Sequence, residues 1–301
     1  MQQSLISSSH DHAVADSGGP MSVLYRPTFP TRPEVFHSLW IGGPLSTVEH
    51  ACLASFVRHG HELTLWCYDV PQELPAGLLV RNAAEILPAD QIVRHKSGSV
   101  SLFSNRFRYE LQRRSLGVWV DTDVYLLKPV PQLPEHTFAW EDSRIIGTAV
   151  LRLPANSPLI DPLLSVFEER EVPRWLPLRE RVAAYARRIK TGRTGLAQMP
   201  WGSAGPRAVT YLCGRHGLTC HALPSEIFYP VHWSRAEWIL DPSLRVEDMI
   251  TDRTVGIHLW NELIKNRKLA HAPKGSFLAR LQAEGAGALD EPIDGRIKVR
   301  A

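Results

Sequence analysis

Segments of strand length alternate with segments of helical periodicity from residue 35 onward, and this alternation limits the possible folds more than any other feature. Apolar residues dominate 35–41 and 63–68. Between them, Ser46 and Glu49 have the spacing of a capping box and predict the start of a helix. A β-α-β succession of this kind is typical of an α/β sheet with helices packed on its faces. We therefore expect an α/β fold with a central sheet flanked by helices.

The same patterns extend along the rest of the chain. Further helices are predicted at 101–115, 174–195, 206–216 and 277–284, and further strands at 117–120, 124–127, 138–140, 145–153 and 255–257. Residues 70–98 are rich in proline and predict no regular element. We expect a disordered leader at 1–20, a single domain at 21–285 and a flexible tail at 286–301.

The composition argues against several classes of protein. Hydrophobic residues make up 44% of the chain, and a formal net charge of +3 gives no concentrated basic face for nucleic acid. No apolar run approaches the ~18 residues that a bilayer-spanning helix needs. The first twenty residues also lack the apolar core of a secretory signal. Four cysteines are too few for a disulfide framework, so we expect a cytoplasmic protein.

Two carboxylates, Asp121 and Asp123, follow the apolar strand predicted at 117–120. Ionised carboxylates are costly to bury unless they are paired or bound to a metal, and two together repel each other. At the end of a sheet strand, where ligands bind in open α/β sheets, a shared divalent cation resolves this repulsion. Oxygen ligands favour Mg²⁺ or Mn²⁺, and such an ion can hold a diphosphate leaving group. The alternative is a pair of solvated carboxylates in a surface turn.

The residues around this couplet resemble the signature of the DXD-motif sugar transferases. Residues 103–111 read Phe-Ser-Asn-Arg-Phe-Arg-Tyr-Glu-Leu, and residues 116–123 read Leu-Gly-Val-Trp-Val-Asp-Thr-Asp. Further matching marks are Trp-Ile-Gly-Gly at 40–43, Gly-Pro at 205–206, Phe-Tyr-Pro at 228–230 and His-Leu-Trp-Asn at 258–261. The family includes α-1,4-galactosyltransferases, yeast-type initiating α-mannosyltransferases, capsular polysaccharide transferases and the catalytic domain of glucosylating bacterial toxins.

The resemblance implies a GT-A-type (Rossmann-like) nucleotide-sugar transferase fold over 21–285, with a mixed central sheet flanked by helices. It also implies a metal-dependent hexosyltransferase. It implies a UDP- or GDP-sugar donor bound with Mn²⁺ or Mg²⁺, and transfer with retention to give an α-linked product. We expect a glycan or lipid-linked saccharide as acceptor, in surface polysaccharide or lipopolysaccharide synthesis. The basic segment 179–193 could contact an anionic membrane leaflet from the cytoplasmic side, and the alternative is a solvated helix face.

Carried over by position, the resemblance assigns roles to residues near the couplet. Asp123 would be the direct metal ligand, while Asp121 would help to hold the metal and contact the donor ribose or sugar. Arg108 would reach the donor sugar or its phosphates, with Asn105 on the same helix face. Trp40 would lie against the nucleotide base. The alternatives are an ion pair for Arg108 and a core position for Trp40.

Late in the chain, His258 would complete the metal or pyrophosphate shell, with Trp260 and Asn261 beside it on the donor side. A neutral imidazole is a suitable third ligand beside two carboxylates. The alternative is a hydrogen-bonded structural histidine. Two adjacent carboxylates, Glu141 and Asp142, follow the strand predicted at 138–140, and we expect Asp142 to contact the acceptor or donor sugar. Its alternative is a polar turn.

Two positions depart from the family pattern. Asn105 stands where the family has Asp, and Leu116 replaces the first Gly of a Gly-Gly pair. Because an amide donates as well as accepts hydrogen bonds, contacts to the donor sugar can differ and the donor stays open. Two other functions also stay open. One is a haloacid-dehalogenase-like phosphatase with Asp121 as nucleophile and Asp123 as acid/base, and the other is a noncatalytic sugar-nucleotide-binding protein.

Overall fold

The computed structural model describes residues 34–290 of the chain. The leader predicted at 1–20 therefore lies outside the described residues, as does most of the tail predicted at 286–301. The last helix runs from Phe277 to Asp290, so the first residues of the predicted tail are helical. Gly285 lets this helix approach Thr47 closely, because a Cβ there would clash with the Thr47 carbonyl oxygen.

The elements follow the predicted order. The strands are β1 (Val35–Trp40), β2 (Glu62–Cys67), β3 (Leu79–Asn82), β4 (Val118–Val120), β5 (Val124–Leu126), β6 (Thr137–Trp140), β7 (Ile146–Arg152) and β8 (Gly256–His258). The helices are α1 (Thr47–Arg58), α2 (Ser101–Arg113), α3 (Ile160–Ser165), α4 (Leu178–Thr191), α5 (Pro206–Arg215), α6 (Asn261–Ile264) and α7 (Phe277–Asp290). Three short elements, β3, α3 and α6, were not predicted, because each is too short for a periodic pattern to emerge.

Six strands form one mixed sheet in the order β3-β2-β1-β4-β7-β6. The strands from β3 to β4 are parallel to their neighbours, whereas β7 runs antiparallel to both β4 and β6. The chain leaves β1 towards β2 on one side and reaches β4 on the other, so the boundary between β1 and β4 is a topological switch point. Ligands of open α/β sheets bind at the carboxyl ends of strands at such a point. The predicted α/β architecture, Rossmann-like with a mixed central sheet flanked by helices, is confirmed.

Strand β1 supplies side chains to the cores on both faces of the sheet, as alternating strand residues do. On one face, Phe36 packs with Phe56 of α1 at a ring-centroid distance of 4.9 Å. On the other face, Leu39 shares a core with Phe107 of α2. Helix α7 packs against the outer side of α1. The sheet is thus covered on both faces, which leaves its carboxyl edge as the open side for a ligand.

The turn from α2 into β4 depends on Gly117. Its φ is 137°, a backbone conformation that disfavours side chains, and a Cβ there would lie 2.5 Å from the carbonyl oxygen of Val35. The preceding Leu116 has its carbonyl oxygen 2.6 Å from Nε2 of His37. The chain therefore needs glycine at the second position of the Gly-Gly signature for β4 to lie beside β1, whereas the first position accommodates leucine.

A second, two-stranded sheet links the middle of the chain to its late part. Val124 of β5 pairs with His258 of β8, and Leu126 pairs with Gly256 in the same antiparallel register. The carbonyl oxygen of Asp123 also accepts the backbone N–H of Leu259 at 2.9 Å. This pairing brings His258 beside the acidic couplet, although the two lie far apart in the sequence.

Candidate functional site

Asp121, Asp123 and His258 form a cluster at the carboxyl end of β4, beside the topological switch point. One ligand atom from each residue can be chosen so that all lie within 4.8 Å of one another. The two carboxylates arrive together because they directly follow β4, and the β5–β8 pairing supplies the imidazole. The arrangement is a group of oxygen and nitrogen donors that could hold a divalent metal ion.

Asp121 is held by two donors on the same oxygen. Its Oδ1 lies 2.8 Å from Nη2 of Arg108 and 2.7 Å from Nε1 of Trp119. Arg108 also donates to the carbonyl oxygen of Thr148, and its guanidinium lies 4.8 Å from the centre of a Trp119 ring. Burial raises the pKa of Asp121, with Arg108 opposing the shift and Asp123 adding to it. Arg108 thus orients one oxygen of Asp121, as a buried ion pair rather than a surface one.

Asp123 is held from the late part of the chain. Its Oδ2 accepts the backbone N–H of Asn261 at 2.7 Å and lies 3.3 Å from Nε2 of His258. Burial works against ionisation, but His258 and the Asn261 N–H together lower the pKa of Asp123 to about 2. Burial likewise disfavours charge on His258, yet Asp123 raises the pKa of its imidazole above the usual value. Each of these two groups therefore favours the charged form of the other.

The cluster keeps unused ligand positions. Within residues 34–290, neither Oδ2 of Asp121 nor Oδ1 of Asp123 has a hydrogen-bond partner. The buried Nδ1 of His258 has none either. Buried polar atoms are usually hydrogen-bonded, so the unpartnered Nδ1 of His258, next to two carboxylates that each keep a free oxygen, favours a site that takes an outside ligand. Carboxylate oxygens and an imidazole nitrogen fit a divalent cation.

Trp260 and Asn261 are both engaged with their own chain. Trp260 has a φ of 57° and donates its Nε1 hydrogen to the carbonyl oxygen of Val231 at 2.9 Å. Its ring lies 4.4 Å from the ring of His258. The side chain of Asn261 donates to Oε1 of Glu49 at 2.8 Å, while its buried Oδ1 has no partner within the described residues. Both residues are thus at the cluster, where they fix the segment that carries His258.

Glu49 is the residue that sequence reasoning did not connect with the site. Its carboxylate is fully buried and completes the capping box of α1 with Ser46. It also accepts from Asn261 and forms an ion pair with Lys268, 219 residues further along the chain. The spacing of Ser46 and Glu49 predicted the cap, but no local signal points to Lys268.

Within the described part of the chain, neither Trp40 nor Asn105 forms a hydrogen bond with the cluster. Trp40, at the end of β1, is half-buried, and its Nε1 donates to the carbonyl oxygen of Gly43 at 2.7 Å. Asn105 is buried on α2 against Gly205, where a Cβ would lie 2.9 Å from the amide oxygen. The Gly-Pro mark at the start of α5 therefore keeps space for the Asn105 side chain. The donor roles predicted for Trp40 and Asn105 stay predictions.

Asp142 and its neighbour Glu141 differ in their surroundings. Oδ1 of Asp142 accepts the backbone N–H groups of Arg144 and Ile145 at 2.7 and 2.8 Å, so this oxygen closes its own turn. Burial raises the pKa of Glu141 to about 7, with His258 opposing the rise and Asp142 adding to it. A carboxyl that titrates near neutral pH in the field of His258 has the property of a general acid or base. The sequence pointed to this pair, and the predicted contact of Asp142 with sugar stays a prediction.

Tyr229 connects the cluster to the central sheet. Its hydroxyl accepts the backbone N–H of Ala149 in β7 at 3.0 Å, and its ring lies 5.4 Å from the ring of His258. The carbonyl oxygen of Ala149 in turn accepts the backbone N–H of Asp121 at 2.8 Å. The tyrosine of the Phe-Tyr-Pro motif thus lies between the central sheet and His258. The sequence pattern alone assigned it no role.

Comparison with known proteins gives one family match. The model described as "Alpha 1,4-glycosyltransferase conserved region" matches residues 198–284. This span includes the His258 and Asn261 side of the site together with Lys268. The acidic couplet of Asp121 and Asp123 lies before it.

No curated protein sequence matches the chain. Among solved structures, one titled "PaToxG Glycosyltransferase" is similar with a TM-score of 0.35 and 11% identity, over 61% of this chain and 69% of that one. Residues 198–284 are thus similar to the conserved region of the α-1,4-glycosyltransferases, in agreement with the resemblance to the DXD-motif sugar transferases.

Proposed function

We propose that this protein is a metal-dependent retaining hexosyltransferase, which moves a hexose from a UDP- or GDP-sugar to a saccharide acceptor with an α-linked product. The family match supports glycosyl transfer as the class of reaction. The observation that supports the metal dependence is the cluster of Asp121, Asp123 and His258, with its open ligand positions at the switch point of the sheet. The leaving group of such a donor is a diphosphate, whose growing negative charge needs stabilisation.

Asp121, Asp123 and His258 would hold Mn²⁺ or Mg²⁺ in this proposal. The ion, when bound, supplies Lewis-acid stabilisation of the departing diphosphate. The chain contributes the orientation of the ligands, since Arg108 fixes one oxygen of Asp121 and Asn261 fixes one of Asp123. Ligands held in place before binding need little rearrangement during the reaction.

The donor would extend from the cluster along the carboxyl edge of the sheet. Trp40 ends the strand next to β4 and is the residue we assign to the nucleotide base, because an indole can stack on a flat ring. Asn105 would contact the donor sugar, and Trp260 would border the diphosphate. Of the two carboxyls after β6, we favour Glu141 over Asp142 as the one that faces the reacting sugars, since only Asp142 is bound to its own turn.

On the acceptor side, we propose a glycan or lipid-linked saccharide of surface polysaccharide or lipopolysaccharide synthesis, reached from the cytoplasm. A phosphatase with Asp121 as nucleophile is less well supported, because that fold normally begins with its Asp-x-Asp strand. Here the couplet follows the fourth strand of the chain. Residues 21–285 would form the single catalytic domain.

A thermal-shift panel of UDP- and GDP-sugars with and without Mn²⁺ tests the proposal. A ligand that binds only the folded state stabilises it by about 2.7 kcal/mol at one hundred times its Kd. We expect one donor to raise the Tm in the presence of Mn²⁺. Asp123→Ala should lose this rise, while Asp252→Ala, a change at an exposed turn, should keep it.

An equal rise in both variants would remove Asp123 as a metal ligand. Binding without transfer or donor hydrolysis would favour the noncatalytic sugar-nucleotide-binding protein. Release of phosphate from an aryl phosphate, lost in Asp121→Asn, would favour the phosphatase.

A further inference from the structure

Helix α4 carries an apolar ridge on its outer side. Leu178, Val182, Tyr185 and Ile189 are 74%, 61%, 43% and 87% exposed. Their spacing of four, three and four residues places them in one stripe along the helix. The side that faces the protein is packed through the fully buried Ala184. We call the four exposed side chains the outer ridge.

Cations lie on both sides of the outer ridge. At about 100° per residue, Arg181 and Arg188 fall on one flank, and Arg179 and Lys190 fall on the other. The helix has five Lys and Arg residues against a single acid, Glu180. None of the four flanking cations forms an ion pair with a residue in the described range. Their charges are therefore available to an external anion.

This pattern differs from that of a solvated helix face. A surface helix of a globular protein turns its apolar stripe to the core and its charges to water. On α4, four large apolar side chains are exposed to water, and the charged residues stand beside them. This is the arrangement of a helix that lies in the plane of a membrane interface. No helix within residues 34–290 is long and apolar enough to cross a bilayer, so this helix would lie on the surface.

We propose that the outer ridge of α4 inserts into the interface of an anionic lipid bilayer, with the flanking arginines and lysine on the lipid phosphates. The charge distribution favours lipid over a second copy of the chain. Two ridges packed face to face would bring two sets of unpaired cations together, and like charges across an interface are unfavourable.

The core beneath α4 leads towards the candidate site. Ala184 of α4 shares a buried cluster with Leu102 of α2 and with Ala204. Ala204 precedes Gly205, which lies against Asn105. The inference deepens the proposed function, because binding of α4 to a bilayer would bring the enzyme to the surface that holds a lipid-linked saccharide acceptor. Only this link to the acceptor rests on the proposed function, and the membrane contact itself does not.

Co-sedimentation of the full chain with vesicles tests the insertion. Vesicles of phosphatidylcholine alone are compared with vesicles that also contain phosphatidylglycerol, at low and at high salt. The ridge variant is Leu178→Ser with Val182→Ser. Its matched control is Leu269→Ser with Val70→Ser, because these two side chains are 73% and 63% exposed elsewhere on the surface. A third variant, Arg179→Gln with Lys190→Gln, removes charge alone.

We expect the wild type to bind the anionic vesicles and to stay partly bound at high salt, since salt screens charges but not apolar insertion. The ridge variant should lose at least tenfold in bound fraction, and the charge variant should lose mainly the preference for phosphatidylglycerol. The control should bind like the wild type, with unchanged circular dichroism in all variants.

Absence of wild-type binding, or equal loss in the control, would overturn the proposal. So would a dimer in light scattering that the ridge variant converts to a monomer without any vesicle binding. The assay contains neither donor nor metal, so its failure would leave the proposed transferase activity standing.

Discussion

Asn261 joins two buried acidic sites that differ in how their charge is balanced. Its backbone N–H donates to Asp123 in the cluster with Asp121 and His258, and its side chain donates to Glu49 at the N-terminus of α1. The single Glu49 carboxylate has an internal cation in Lys268 and a hydroxyl donor in Ser46. In the cluster, Asp121 pairs with Arg108 and Asp123 with His258, but two carboxylates lie together and each keeps one oxygen without a hydrogen-bond partner in the described chain.

The difference distinguishes structural from functional buried charge. A buried carboxylate is tolerated when a cation and hydrogen bonds within the chain satisfy it, as at Glu49. Burial and the neighbouring Asp123 raise the pKa of Asp121, whereas His258 and the Asn261 N–H lower the pKa of Asp123 against the effect of its burial. Opposed shifts on adjacent carboxyls are typical of functional sites. We therefore expect Glu49 to contribute to the stability of the fold, and Asp121 and Asp123 to contribute to turnover.

The largest effect that this comparison predicts is the loss of activity in Asp123→Asn. The amide can still accept the N–H of Asn261, but it offers a weaker ligand and no charge. We expect kcat for sugar transfer to fall by about 10²–10³-fold, the cost of removing one stabilising group from a developing anion. Steady-state kinetics with the donor identified by thermal shift would measure it.

Asp252→Asn is the control for this loss, and urea denaturation should give both variants a stability close to that of the wild type. A large loss of stability in Asp123→Asn alone would mean that Asp123 belongs with Glu49 on the structural side.

The next effect is on stability, in Lys268→Met. This change leaves the carboxylate of Glu49 buried without its cation, for which we expect a loss of about 3–5 kcal/mol in the free energy of unfolding. Urea denaturation followed by circular dichroism would measure it. The double variant Glu49→Gln with Lys268→Met removes both charges and should recover much of the loss. A single variant as stable as the wild type would contradict the contrast between the two sites.

The smallest effect concerns His61, a buried group partnered within the chain. Its Nε2 accepts the backbone N–H of Val130 at 2.9 Å, and burial lowers its pKa from 6.5 to about 4. As the pH falls below 6.5, the unfolded chain takes up this proton before the folded protein does, so stability is complete above that pH and declines towards pH 4.

His61→Gln keeps an acceptor for Val130 but removes the titration. Melting curves between pH 7 and pH 4 should therefore show a smaller decrease in Tm for this variant than for the wild type. Parallel curves for the two proteins would show that His61 contributes nothing to the acid sensitivity.

Local patterns predicted most of what forms this fold. The capping box of α1, the apolar strand before Asp121 and the periodicity of α2 each determine an element from a few neighbouring residues. The couplet was also predictable as a candidate metal site, because two ionised carboxylates at a strand end repel each other and a shared cation relieves that repulsion.

Long-range partners were not predictable in the same way. Lys268 meets Glu49 only because α1 and the late chain pack together, and no spacing encodes that contact. The outer ridge of α4 was likewise read as basic alone, since a sequence pattern gives the stripe of apolar residues but not which side faces water. The edge strand β3 was not predicted, because it has only four residues and lies within a proline-rich segment.

The antiparallel pairing of Val124 with His258 has a consequence for the order in which the protein is made. The acidic couplet is synthesised more than a hundred residues before the imidazole that lies beside it in the fold. A prematurely terminated or proteolysed product that ends before β8 would therefore carry the acidic motif and still lack the histidine of the cluster. The three-residue cluster is complete only when synthesis of the described residues is almost finished.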